Sequence, residues 1–383
     1  MPPYPPNSVP ARSPARLYRL EAVRGFAALY IMLAHTVSNE AVIFGIPVAY
    51  MNRFGQEAVV LFFLVSGFVI NYSFRNSRDK SFSSYLFKRG TRIYIPLLLV
   101  FLVSYASHCY NHGALVNPEL WTLLKNILML QDYEVAKPNV LSETYLQNTS
   151  LWSLSYEWWF YMLYFPIATR IAPGYRQAVL VFAVSMIAAA LYVWQPNFLA
   201  RFFVYLGIWW AGVYLSELYM AGKHRSLKAL ALPVMSMFAL SLVLVVPVVI
   251  ARLAGEGLQL GRHPLLEFRH VSAAALLVCG AYMWQRIHWF GFDSLMKPFM
   301  VLAPISYALY ISHLPLMAHE TYLDFIDHDA IRWFCSLLVM LIFSYLVELK
   351  IYPSLREYLR NRWFSLDQPR TGTGGARGHY AAR

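Results

Sequence analysis

The chain has 383 residues, of which 58% are hydrophobic and only 14% charged, with a net charge of +12. Soluble domains carry about a quarter charged residues, so this composition excludes an ordinary soluble protein and points to a polytopic membrane protein. Three scattered cysteines, Cys109, Cys279 and Cys335, lack paired or metal-type spacing. That excludes a disulfide framework and a metal site, and leaves packing inside helices as their role.

Residues 1–16 are proline-rich and are expected to be disordered. Arg12, Arg16 and Arg19 lead into the first apolar run, and no small-residue cleavage site closes it, so no cleavable signal peptide is expected. Runs long enough to cross a hydrocarbon core occur at 17–37, 55–73, 93–110, 151–170, 177–194, 198–217, 229–251, 270–288, 298–318 and 332–353. The fold class is therefore all-α, a polytopic membrane helical bundle of about ten transmembrane helices. With the N-terminus inside, 23 lysines and arginines fall on cytoplasmic segments against 8 on external ones. This asymmetry predicts that both termini are cytoplasmic. The basic surface then meets anionic lipid at the inner face, and no nucleic acid partner is expected. No linker or internal repeat divides residues 17–353, which form one transmembrane domain. Residues 354–383 are expected to form a mostly disordered cytoplasmic tail.

The first run carries Arg24 and His35. Eleven residues are close to three helical turns, so both project from one face, roughly 16 Å apart along the axis. A charge at the centre of a spanning helix costs about 3 kcal/mol on insertion scales. The pair suggests a polar track across the bilayer, with a cation at one end and a proton-transfer group at the other. The alternative is an arginine that snorkels to a headgroup and a histidine that packs. The cytoplasmic segment before the third run ends in Lys88-Arg89-Gly90-Thr91-Arg92 and enters that run directly. Arg89 and Arg92 share a helix face, and two guanidinium forks at a membrane surface suit a polyphosphate. Read alone, they equally suit a topology signal.

The external connection at 111–150 is polar and contains a helix-like stretch from Pro118 to Leu130. It is either a lid or acceptor-binding surface, or an ordinary surface loop. The fourth run carries Glu157 within Ser153-Leu154-Ser155-Tyr156-Glu157-Trp158-Trp159-Phe160-Tyr161, with no neighbouring charge in sequence to pair with it. The ninth carries His313 within Ser306 to Pro315. Counted from the helix ends, His35, Glu157 and His313 share the outer half, while Arg24, Arg89 and Arg92 lie towards the cytoplasm. That division suits a cytoplasmic phosphate-bearing donor and an external acceptor, provided Arg24 and His35 face one continuous cavity.

Taken together, these segments resemble the acyltransferase-3 family of integral membrane O-acyltransferases, which act on O-antigen, exopolysaccharide, Nod factors or macrolides. The resemblance rests on Leu20-Glu21-Ala22-Val23-Arg24-Gly25 running to His35, Phe62-Phe63-Leu64-Val65-Ser66-Gly67-Phe68, Arg89 to Arg92, Ser153 to Tyr161, and Ser306 to Pro315, in order over residues 17–318. It implies ten core helices, acyl-CoA as donor substrate (acetyl-CoA being the commonest), no permanently bound cofactor or metal, and a carbohydrate or glycan hydroxyl as acceptor. It also implies a bacterial inner membrane location and essential roles for Arg24, His35, Arg89 and Arg92. Two motifs depart from the family pattern: Trp158 and Trp159 replace a glutamate and a glutamine, and Glu21 replaces an aspartate. The additional external hydrolase-like domain of some members is not expected here.

The mechanism expected from these residues has Arg89 and Arg92 gripping the diphosphate of acyl-CoA and Arg24 holding a phosphate or polarising the thioester. His35 serves as general base, Glu157 orients it, and His313 acts as a second proton acceptor or acceptor ligand. A secondary transporter or lipid-linked sugar permease with a proton relay is the rival reading, although two related halves with interrupted helices are absent. A non-catalytic sensor would have no use for ionisable groups buried on three helices.

Overall fold

The computed structural model describes residues 17–365 except positions 39, 44 and 320. The proline-rich start and the Gly/Arg-rich tail beyond Ser365 lie outside the described residues. In chain order the elements are α1 (Tyr18–Thr36), a two-residue hairpin β1 (Val42–Ile43) and β2 (Ile46–Pro47), α2 (Val48–Asn52), α3 (Gly55–Arg75), α4 (Phe82–His112), α5 (Leu120–Ile127), α6 (Trp152–Arg170), α7 (Tyr175–Trp194), α8 (Phe198–Met220), α9 (Leu227–Leu253), α10 (Leu265–Arg286) and α11 (Phe292–Leu295). A broken pass follows: a 3-10 helix at Lys297–Ile305, then α12 (Ser306–His313), then a π-turn at Leu314–Ala318. The last pass is α13 (Asp329–Tyr345), a π-turn at Leu346–Ile351 and α14 (Tyr352–Ser365).

Each of the ten apolar runs corresponds to one of these passes, and eight are long and apolar enough to cross a membrane. The other two, α1 and α6, are 19 residues each. They fall short because α1 carries Arg19, Glu21 and Arg24, and α6 carries Glu157 among tryptophans and tyrosines. Leu98, Leu102, Ile187, Phe238, Leu242 and Val246 are exposed on the outside of the bundle, a surface that only hydrocarbon suits.

Helix α8 is the hub, with 78% of its apolar window buried, against 28% for α9. Its Trp209 and Trp210 pack with Phe63 of α3 and with Tyr156, Phe160 and Tyr164 of α6 in an aromatic core. Glycines set the spacing. A Cβ on Gly67 of α3 would stand 2.1 Å from the Trp209 carbonyl oxygen, and one on Gly25 of α1 would stand 2.0 Å from that of Phe299. Those two contacts bring α3 onto α8 and α1 onto the 3-10 helix.

The connection between α4 and α6 is tied to the bundle. Asp132, fully buried, accepts from Lys137 Nζ at 2.7 Å, from Arg201 of α8 at 2.9 Å and from Tyr156 at 2.6 Å. Lys137 Nζ also sits 3.3 Å from the centroid of the Trp152 ring. Burial pushes the Lys137 ammonium down to about 8. Burial alone would raise the Asp132 carboxyl, but Lys137 and Arg201 together hold it below its ordinary range. The expected helix-like stretch of this connection forms as α5, shorter at both ends.

Candidate active site

The site forms around the break at the ninth pass. Pro304 cannot donate a backbone hydrogen bond, and it lies at the end of the 3-10 helix, where regular α-helix begins again. In a bilayer, the backbone groups freed by such a break must find partners inside the protein. Two charged side chains supply them. The Arg24 guanidinium of α1 donates to the Ala303 carbonyl, which Ser306 Oγ also reaches at 2.8 Å. The Glu348 carboxylate, from the π-turn of the last pass, accepts from the Ala308 amide in the first turn of α12 at 3.1 Å. The other Glu348 oxygen pairs with Arg92 of α4.

Arg24, Arg89 and Arg92 line one cavity of about 150 Å³, together with Glu157, Tyr161, Ser66, Ser153, Tyr307 and Tyr310. Phe62, Phe63, Val65, Val69 and Ile70 of α3 form its apolar wall. Among the described residues, neither Arg24 nor Arg89 has a carboxylate within ion-pair distance, and the Nε of each is buried without a hydrogen-bond partner. Arg89 reaches Ser73 Oγ at 3.4 Å and lies 5.8 Å from the Tyr85 ring centroid. Arg92 stands over Tyr307 and Tyr352 at 5.4 and 5.3 Å. The cavity is thus walled with unspent cationic donors, the environment a multiply charged anion requires.

Glu157 is found with the arginines, not with the histidines. Its Oε1 accepts from Ser66 Oγ at 2.7 Å and from the Tyr161 hydroxyl, and Trp209 Nε1 reaches Ser66 Oγ at 3.2 Å. The expected common depth of His35, Glu157 and His313 is therefore corrected, because α6 brings Glu157 against the middle of α3 instead of the outer end of α1. No hydrogen bond joins Glu157 to His35 among the described residues, so the orienting role gains no support from the geometry.

His35 and His313 do come together, their ring centroids 5.3 Å apart. His313 is wholly buried and His35 is exposed. His313 Nδ1 lies 2.6 Å from the Tyr310 carbonyl oxygen. A carbonyl can only accept, so this nitrogen carries the proton and Nε2 keeps its lone pair. That Nε2 is buried without a partner. The expectation of one cavity holding both Arg24 and His35 also needs correction. Arg24 lines the cavity, whereas His35 lies outside its lining, with His313 and Tyr310 intervening. Tyr310 belongs to both regions: its hydroxyl meets Ser153 Oγ at 2.9 Å on the cavity side, its ring packs on Phe62 at 5.7 Å, and its carbonyl holds His313.

The sequence reasoning missed Glu348, the only acidic residue in the 332–353 run. The rule that singled out Glu157, a lone carboxylate in an apolar span, would have found it. It also gave no role to Ser66, Tyr161, Tyr307 or Tyr310.

A family model described as an acyltransferase domain, the acyltransferase-3 family, matches residues 17–349. The chain is also 30% identical over 182 residues to a protein of Streptomyces mycarofaciens named acyltransferase MdmB, an overlap covering 46% of this chain and 45% of that one. The matched region thus spans less than half of that relative's length. No solved structure matches the chain.

Proposed function

The chain belongs to the acyltransferase-3 family and is a multi-pass membrane acyltransferase; from that premise we propose that it moves an acyl group from cytoplasmic acyl-CoA to a hydroxyl of a carbohydrate or glycosylated product. Acetyl-CoA is the donor we favour, and a bacterial inner membrane with both termini cytoplasmic is the setting. The observation that carries this reading is the convergence of Arg24, Arg89 and Arg92 on one cavity, two of them without a carboxylate.

In this reading the phosphates of the donor meet Arg89 and Arg92, whose guanidinium forks match phosphate oxygens. The pantetheine arm follows the apolar wall of α3 towards Tyr310. Arg24, with an unused Nε donor and about three helical turns from His35, joins Arg89 and Arg92 in holding a phosphate or a carbonyl of the donor. His35 removes the proton from the acceptor hydroxyl as its oxygen bonds to the thioester carbon. The carbon–sulfur bond breaks, and the departing thiolate takes up the proton that His35 removed. His313, with an unpartnered Nε2 in a ring neighbouring that of His35, is the second proton acceptor. Glu157, held by Ser66 and Tyr161, offsets part of the cationic charge.

The test is incubation of membranes containing the chain with acetyl-CoA labelled in the acetyl group, followed by analysis of glycans and glycosylated products. Ester-linked label that depends on the chain is the expected result. Label that never exceeds that of membranes lacking the chain overturns acyl transfer from CoA to such an acceptor.

A further inference from the structure

The lone carboxylate of the 332–353 run has no part in the mechanism above, yet it touches two of that mechanism's components. Glu348 is 1% exposed in its side chain, on a helix that otherwise presents leucines and isoleucines to the outside. Burying a carboxylate there is costly unless each of its oxygens is engaged. Both are: Oε2 binds Arg92, and Oε1 binds the Ala308 amide. The π-turn at Leu346–Ile351 inserts an extra residue into the helix at this point, and such bulges concentrate at functional sites.

We infer that Glu348 is a positioning residue that aims Arg92 into the donor cavity and fixes α12 against it. Arg24 and Glu348 hold opposite sides of the helix break. The cation takes the carbonyl that ends the 3-10 helix, and the anion takes an amide at the start of α12, each matching the partial charge of its end. Arg92 is the only one of the three cavity arginines with a carboxylate partner among the described residues. Its guanidinium is bound through one nitrogen by Glu348 and flanked by the Tyr307 and Tyr352 rings, and its side chain lines the cavity. At the other end of α12, one helix length of eight residues away, is His313. One side chain thereby sets the donor-binding cation and the helix that carries the imidazole.

This inference rests on the reading of Arg92 as a donor-phosphate ligand, and the test separates the two. The full-length chain is purified in detergent, and binding of labelled acetyl-CoA is measured for Arg92→Ala, Glu348→Gln and the double variant. Each single variant should raise the Kd about tenfold, and the double variant should be no worse than either, because both remove the same oriented contact. Glu348→Asp, which keeps the charge on a shorter stem, should recover part of the affinity; if Glu348→Gln does not fold, Glu348→Asp takes its place in the cycle. A wild-type Kd in the Glu348 variant beside a weakened Arg92→Ala overturns the positioning role alone, and so does full additivity in the double variant. A wild-type Kd in Arg92→Ala overturns the donor-phosphate reading, and the positioning role with it.

Discussion

A hydrogen bond to the Tyr310 carbonyl fixes the tautomer of His313 with no side-chain partner at all. Its Nε2 is buried without a partner, in a ring whose centroid is 5.3 Å from that of His35, the one imidazole of the two that is exposed. If His35 is the general base, His35→Ala should lower acyl transfer by about 100-fold or more, with expression and membrane insertion unchanged; full activity removes the proposed base. His313→Phe keeps a ring against His35 but deletes the lone pair, so the activity should fall while the unfolding temperature stays close to that of the parent. Equal losses of activity and of unfolding temperature would make His313 a packing residue. Arg24 and Glu157 were legible in the sequence because a charge in an apolar run is costly enough to demand a reason, and Arg89 and Arg92 because they share a helix face at the membrane surface. That Glu157 turns to Ser66 and Tyr161, and that Tyr310 separates His35 from the cavity, was not legible. Both depend on how α6 and α12 rotate against α3, and the polar spacing of a single helix carries no information about its neighbours.

Helix count and order were readable from the apolar runs, whereas the breaks within passes were not. The 3-10 segment before α12 and the π-turn after α13 arise where Pro304, Arg24 and Glu348 redistribute backbone hydrogen bonds, an outcome of tertiary contact. Glycine spacing works at the same scale. Gly25→Ala should push α1 off Phe299 and shift the adjacent Arg24 away from the Ala303 carbonyl. A loss of about 1–3 kcal/mol in stability and weaker acetyl-CoA binding are expected. Gly90→Ala, where no atom lies within 4 Å of an added Cβ, should change neither, and equal effects at both glycines would sink the close-packing argument. The connection between α4 and α6 depends on Asp132 in the same way. Because its folded pKa lies below the ordinary carboxylate value, the stabilisation it supplies is complete above about pH 4 and is lost as pH falls through the lowered value. Asp132→Asn should therefore cost about 3–5 kcal/mol at neutral pH by leaving Lys137 and Arg201 uncompensated, and should remove this acid dependence. Thermal unfolding at neutral and acid pH, with and without the substitution, checks both statements. An Asp132→Asn chain as stable as the parent at pH 7 would show that the loop is held by other contacts.

Across the molecule, charge is distributed along the bundle axis. Lysines and arginines concentrate on the segments predicted to be cytoplasmic, and the cavity adds Arg89 and Arg92 from the start of α4 and Arg24 from the first half of α1. The opposite end carries the anchored 113–151 connection and the two neighbouring imidazoles. An enzyme so built should take its phosphate-bearing donor from one side only, because CoA phosphates cannot cross hydrocarbon and the arginines stand towards one end of the bundle. Inverted membrane vesicles expose the cytoplasmic face and should consume added acetyl-CoA at once. Sealed right-side-out vesicles should consume it only after permeabilisation. A reporter fused after Arg383 that is active only in the cytoplasm should be active, which ties the direction of donor entry to the side of the termini. Equal consumption by intact vesicles of both orientations would mean that the arginine cavity is reached from outside as well, and the axial separation of donor and acceptor would no longer explain where the charges lie.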